Sequence, residues 1–285
     1  MRDIRDIKDL QGDGPALVLV PGIQGRWEYA RPTVEALAKY FRVVTFSLGA
    51  AGSFDGEVER ILSALDERQI ERAVVCGISY GGLVTTRFAA IHPARTTTLV
   101  LASVPGPNWR PRPHHRFYAQ WPWLLAPLFF AETPFRLSPE VAAALPRRAD
   151  RVKFARWQLA TIVAAPVSLS QMAARARLLP VPGLADDCQR VIAPTLVVTG
   201  EAALDRVVPV ESTASYVTLI HHARRFVLER SGHQGTITRP SVFAAAVNEF
   251  VRNVPAVASG FSRTSSRDVA SGFSRTSSSS RSEVA

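Results

Sequence analysis

Six short runs rich in β-branched and other apolar residues, set far apart along the chain, constrain the fold more than any other feature. They are Ala16–Val20, Arg42–Phe46, Ala73–Gly77, Thr98–Ala102, Thr195–Thr199 and Arg225–Leu228. Apolar runs without polar alternation read as strands buried on both faces. Helical patterns separate several of them, over Pro32–Tyr40, Glu57–Arg68 and Gly82–His92, and a further one covers Ser241–Arg252. This alternation predicts an α/β fold, a mostly parallel central sheet flanked by helices. With 47% hydrophobic residues in 285, the chain has ample material for the core of one domain carrying an insertion.

The alternation fails between Pro105 and Asp186. Proline-rich turns, five aromatics from Trp109 to Trp123 and arginine-rich helical segments take its place. Residues 106–185 are therefore expected to form a helical cap, inserted between the core segments 1–105 and 186–255. Its most apolar piece, Gln120–Ala131, is interrupted by Pro122 and Pro127 and is too short for a bilayer, which takes roughly 20 residues. Packing onto the core, lining a greasy cavity or peripheral contact with a membrane surface are the roles open to it. After Val254 the composition turns to Ser, Arg, Thr and Gly, and the decamer Val257–Ser266 recurs unchanged at Val269–Ser278. Two copies of a polar decamer cannot build a core, so 256–285 is expected to be a disordered tail.

The net charge of +10 is unevenly spread. Residues 106–185 hold 11 Lys and Arg against 3 Asp and Glu, and the tail holds 4 against 2, leaving the rest neutral. No recognisable nucleic-acid-binding motif accompanies this charge, so nucleic acid is not an expected partner. The basic cap reads first as a solvated face, and alternatively as a means of attracting an anionic surface or a small-molecule substrate with an apolar part and a negative charge. Cys76 and Cys188 are the only cysteines, which supports neither a disulfide framework nor a zinc site, and Cys76 falls in a strand pattern as a small buried thiol. The start of the chain, Met1–Gln11, is charged and lacks the apolar run of a secretory signal, so a cytoplasmic location is expected.

Chemistry concentrates where strand Ala73–Gly77 runs into Gly77-Ile78-Ser79-Tyr80-Gly81-Gly82 ahead of a helical pattern. A G-x-S-x-G sequence between a buried strand and a helix forms a turn so tight that glycines must flank the serine, whose hydroxyl is exposed above the sheet. Ser79 is the expected nucleophile. A serine hydroxyl needs a base to take its proton, and the base needs a third group to orient it. Of six histidines, His233 in Ser231-Gly232-His233-Gln234-Gly235 lies beyond the end of a strand and is the candidate base. His92 suits a helix end; His114, His115, His221 and His222 sit in the cap or before the last strand. Asp205, in the segment after Thr195–Thr199, is the candidate acid, with Glu201 as its rival. The turn Val20-Pro21-Gly22-Ile23-Gln24-Gly25 ends a strand, so the Ile23 and Tyr80 main-chain N–H groups are candidate oxyanion donors. Gln24 and Trp27 are near enough in sequence to face a substrate, with packing in the core as the other role open to Trp27.

From Gly14 to Val254, through VPGIQG, GISYGG, HPARTTTLVLAS, PTLVVTGEAALDRVVP and RSGHQG in that order, the chain resembles the capped serine hydrolases of the α/β-hydrolase superfamily. The resemblance implies a Ser79, Asp205, His233 triad, a cap after the strand at Thr98–Ala102, and no metal or organic cofactor. It implies hydrolysis of a carboxylic ester or related acyl bond by an acyl-enzyme. Carbon–carbon bond hydrolysis and acyl transfer on the same triad, or a non-catalytic small-molecule binder, are the alternatives. The chain departs from the common pattern in three places. Pro21 stands where a histidine is usual, Ser47–Ser53 replaces a D-x-R-G-H-G segment, and Asp205 lies two positions further from Gly200 than in G-x-x-D.

Overall fold

The computed structural model describes residues 7–50, 52–111 and 113–254 and, within them, every side chain but those of 114, 115, 125–127, 129 and 130. The expectations for the tail, the first six residues and the two cap imidazoles lie outside the described residues.

Seven strands form one sheet: β1 (Ile7–Leu10), β2 (Ala16–Val20), β3 (Arg42–Phe46), β4 (Ala73–Ile78), β5 (Thr96–Ala102), β6 (Thr195–Thr199) and β7 (Ala223–Val227). Their order is β1-β3-β2-β4-β5-β6-β7, with β1 antiparallel to β3 and every other pairing parallel. Alternate side chains leave a strand on opposite faces. Leu17, Leu19, Val43, Val74 and Val100 accordingly join one core layer, and Val18, Val20, Val44, Val75 and Leu99 the other. The first layer packs beneath α1 (Arg31–Leu37) and α12 (Pro240–Asn253), and the second beneath α2 (Phe54–Glu67), α3 (Tyr80–Ile91) and α8 (Leu184–Arg190). Each such fully buried Val or Leu contributes about 1.5–3 kcal/mol. The helix α2 begins where the Ser53 hydroxyl accepts the Gly56 N–H, with Asp55 and Glu57 in its first turn.

Between β5 and β6 the chain makes α4 (Pro113–Gln120), α5 (Pro122–Ala144), α6 (Arg148–Ala164), α7 (Leu169–Arg177) and then α8. Three short helices, α9 (Val210–Ala214), α10 (Tyr216–Leu219) and α11 (Gly235–Thr238), lie in the loops after β6 and β7. No helix among the described residues is long and apolar enough to cross a membrane.

The differences from expectation have local causes. Strand β1, Ile-Lys-Asp-Leu, carries two charges in four residues and has no apolar run. It is fixed by its pairing to β3 and by Arg42, which donates to Asp9 at 2.7 and 3.2 Å. Strand β7 begins two residues earlier than expected, because at the sheet edge its outer side chains are exposed and carry no apolar signal. Pro122 occupies the first turn of α5, where a missing N–H costs nothing, but the helix continues through Pro127 instead of breaking there.

Candidate active site

Because β3 and β4 flank β2 on opposite sides, the chain reverses its direction of travel across the sheet at β2. Ligands of open α/β sheets bind beyond the strand ends at such a point. The loops after β2, β4, β6 and β7 bring the sequence-singled residues there.

Ser79 sits between β4 and α3 at φ +52°, ψ −122°, a backbone conformation that non-glycine residues rarely adopt. The turn tolerates it because its neighbours are glycines. A Cβ on Gly77 would lie 2.4 Å from the Thr85 hydroxyl oxygen, and one on Gly81 2.4 Å from the Val20 and Pro21 carbonyl oxygens. The Ser79 N–H donates to Ala102 O at 2.9 Å, tying the turn to the end of β5.

The His233 Nε2 atom lies 3.1 Å from Ser79 Oγ. On its other side, Nδ1 stands 3.5 Å from Asp205 Oδ2, longer than a closed hydrogen bond. Asp205 is held in place by its other oxygen, which accepts the N–H groups of Val207 and Val208, both at 3.0 Å. Burial alone would raise the Asp205 carboxyl; contact with His233 and these two N–H groups outweighs it and leaves the group below its ordinary range. Burial likewise opposes the His233 imidazolium, but the Asp205 carboxylate, with a contribution from Glu140, raises the imidazole above its ordinary value. Glu201 faces elsewhere, accepting the Arg230 N–H at 2.6 Å. His92 stacks on Phe88, and His221 and His222 pack on each other.

On the opposite flank, the turn after β2 brings Ile23 to the same cavity as Ser79 and Tyr80. The Tyr80 N–H begins α3, where no preceding helical carbonyl exists to accept it. Beneath this turn lies Arg175, a residue of α7 with 1% of its surface exposed. Its guanidinium donates to Glu57 Oε1 at 2.8 Å and to the carbonyls of Ile23, Leu48 and Gly49, while the Tyr80 hydroxyl donates to Glu57 Oε2 at 2.6 Å. Burial and the Glu57 carboxylate keep the Tyr80 phenol far above its ordinary range, so it remains a donor.

A cavity of about 180 Å³ opens above Ser79. Its lining is mainly apolar, with Trp109, Met172, Leu179 and Val208 among it, and includes two cations, Arg116 and Arg136. Gln24 and Trp27 are not among the lining residues. Trp27 packs into the core with the Arg31 guanidinium over its ring, and the Gln24 side-chain oxygen turns toward Gly22. Sequence reasoning missed three charged residues here, Glu57, Arg175 and Glu140. Glu140, on α5, is 1% exposed, and its carboxylate accepts the Gln234 N–H at 3.1 and 3.2 Å. No local pattern marks any of the three.

The model of the alpha/beta hydrolase family matches residues 17–246. The chain is 28% identical over 254 residues to the pimeloyl-[acyl-carrier protein] methyl ester esterase of Vibrio campbellii, covering 84% of this chain and 95% of that one. In structure it is similar to the enol-lactonase of Burkholderia xenovorans LB400, with a TM-score of 0.69, 21% identity and coverage of 86% and 95%. It is similar also to the meta-cleavage product hydrolase of Pseudomonas fluorescens IP01, with a TM-score of 0.62, 22% identity and coverage of 86% and 93%.

Proposed function

The chain belongs to the alpha/beta hydrolase family, and we propose that within it the protein is a serine hydrolase that cleaves a carboxylic ester or related acyl bond through an acyl-enzyme on Ser79. The observation that carries this reading is the 3.1 Å approach of His233 Nε2 to Ser79 Oγ on a strained turn, with Asp205 on the far side of the imidazole. Ser79 Oγ attacks the carbonyl carbon while its proton passes to His233 Nε2. The carbonyl electron pair moves to oxygen, which the Ile23 and Tyr80 N–H groups stabilise. Collapse expels the alcohol, which takes the proton from His233. Water, deprotonated by the same imidazole, then attacks the acyl carbon, and the acid leaves as Ser79 recovers its proton. Asp205 orients the ring and offsets the charge of the imidazolium.

Residues 106–185 act in this reading as a cap over the cavity. The apolar lining favours a substrate with an apolar acyl or alcohol portion, and Arg116 and Arg136 favour one that also carries negative charge. The curated relatives are named for hydrolysing a methyl ester of an acyl-carrier-protein conjugate, which supports the choice of a carboxylic ester.

A fluorophosphonate probe tests the reading. The parent labels covalently and turns over p-nitrophenyl esters; Ser79→Ala loses the labelling and at least a thousandfold in turnover. A folded parent that neither labels nor turns over such esters sinks the proposal.

A further inference from the structure

Glu140 is a nine-tenths-buried carboxylate that the mechanism above does not use. It comes from α5, in the segment inserted between β5 and β6, yet its contacts are with the loop that carries His233. Two geometric observations define the contact. The carboxylate receives the N–H of Gln234, the residue next to His233. It also lies so close to the preceding residue that a Cβ on Gly232 would stand 2.3 Å from Glu140 Oε2. Gly232 leaves room there for both the Glu140 carboxylate and the Leu204 carbonyl oxygen, the latter 2.5 Å from where the Cβ would stand.

We propose that Glu140 is a positioning residue for His233. Its carboxylate anchors the Gly232–Gln234 turn, fixing where Nε2 points, and its charge joins that of Asp205 in favouring the imidazolium formed when Ser79 gives up its proton. The inserted segment thus bears on the loop that carries the base, and a base whose loop is anchored by a second element loses less to reorientation at each proton transfer. The inference rests on the Ser79–His233 reading.

His233 and Asp205 face the Glu140 carboxyl from the core loops, and Arg136, one turn earlier on α5, opposes protonation of His233. Of the helices packed on α5, α7 directs Arg175 to Glu57 and Arg177 to the Ala119 carbonyl, α4 turns Arg116 to the cavity, and α11 carries no charge. Burial pushes the Glu140 carboxyl up to about 7, with the Gln234 N–H and His233 opposing that rise. The carboxyl and the imidazole, each favouring the charged form of the other, therefore titrate as a coupled pair.

Glu140→Gln preserves shape and an acceptor for the Gln234 N–H while removing the charge, and Glu140→Asp keeps the charge one methylene short of that N–H. For Glu140→Gln we expect kcat to fall roughly tenfold with KM within about twofold. Its kcat/KM profile should show a single-group acid limb moved to lower pH, because a negative charge no longer supports the imidazolium. Glu140→Asp should lower kcat too but keep the acid limb closer to the parent's. The proposal is overturned if Glu140→Gln keeps kcat within twofold and an unmoved acid limb. It is equally overturned if any loss in Glu140→Gln is matched by a lower fraction of folded protein, with unchanged turnover per folded molecule. Fluorophosphonate labelling of Ser79 in the parent separates these outcomes from failure of the hydrolase reading, in which no labelling occurs at all.

Discussion

Two buried glutamates flank the site, and they are held by different chemistry. Glu57, under the turn that carries Ile23 and Tyr80, is enclosed by a guanidinium and a phenol: Arg175 at 2.8 Å and the Tyr80 hydroxyl at 2.6 Å. Glu140, beside His233, meets a main-chain N–H and an imidazole whose own charge depends on protonation. A carboxylate taken from water needs a compensating charge or it tends to neutralise. Glu57 has a permanent one, since arginine does not deprotonate in the working range. For Glu140 the charge that opposes neutralisation comes from His233 while the imidazole is protonated. The flank at Ile23 and Tyr80 is consequently built as fixed scaffolding, and the flank at His233 as a pair of groups that bear on each other's charge. Both charged anchors, Arg175 and Glu140, come from the segment between β5 and β6, so that segment supports the site from two sides.

Removing the cation from the fixed flank gives the largest expected effect. Arg175→Met leaves the Glu57 carboxylate buried beside a phenol alone and strips three carbonyls of their donor. Breaking a buried pair in this way costs about 3–5 kcal/mol. In a domain of this size that corresponds to a fall in Tm of about 10 °C, measurable by calorimetry. Adding Glu57→Gln should recover part of the loss, because the orphaned charge goes with it. If Arg175→Met melts with the parent, the flank is not scaffolding and the contrast with Glu140 disappears.

The base flank has the opposite signature, a stability that depends on pH. The Glu140 carboxyl, raised by burial from 4.5 to about 7, holds its proton in the folded state after the unfolded chain has lost it. The unfolded state then binds fewer protons, and stability falls as pH rises between those two values, by about 2–3 kcal/mol. His233, raised above its ordinary value of 6.5, acts in the same direction as pH rises above that value, whereas the contribution of Asp205, held below its ordinary value of 3.8, is lost as pH falls below that value. Urea unfolding at pH 5 and pH 8 should show the parent weaker at pH 8. Glu140→Gln should remove most of that difference. An equal pH 5 to 8 difference in parent and variant would mean that Glu140 does not titrate in the folded state.

The two kinds of residue also differ in how far the sequence reveals them. Ser79 is legible because its chemistry is local: strand, glycine, serine, glycine and helix lie within about ten residues, and the strain of φ +52° is written in the glycines beside it. His233 and Asp205 follow from the same logic, as polar residues just beyond buried strands. Arg175 and Glu140 are not legible, since their bonds span 118 and 94 residues of chain, and no spacing rule relates residues so far apart. Read locally, each is one charge in an arginine-rich segment that resembles a solvated helix face. Strand β1 escaped for a related reason, because edge strands carry charges where central strands carry valines. Trp27 is the converse case: closeness in sequence to the turn at Ile23 brought it to notice, while a single turn of 3-10 helix at 27–30 directs its ring into the core.

The smallest expected effect sharpens what the fixed flank does for chemistry. Tyr80 has two separable parts, a main-chain N–H proposed to meet the oxyanion and a hydroxyl that donates to Glu57. Tyr80→Phe removes only the second. The ring keeps its edge-on contact with Phe54, at 6.1 Å between centroids, so packing is preserved. Losing a hydrogen bond to a buried charged acceptor costs about 1.5–3 kcal/mol, and Arg175 remains to hold the carboxylate, which favours the lower end. The variant should therefore melt a few degrees below the parent. Its kcat on p-nitrophenyl esters should stay within about threefold, because the N–H proposed to meet the oxyanion is unchanged. A loss of a hundredfold or more at unchanged Tm would reverse the assignment: the phenol would then act in the reaction itself, and the Glu57 flank would belong to the chemistry rather than to its scaffolding.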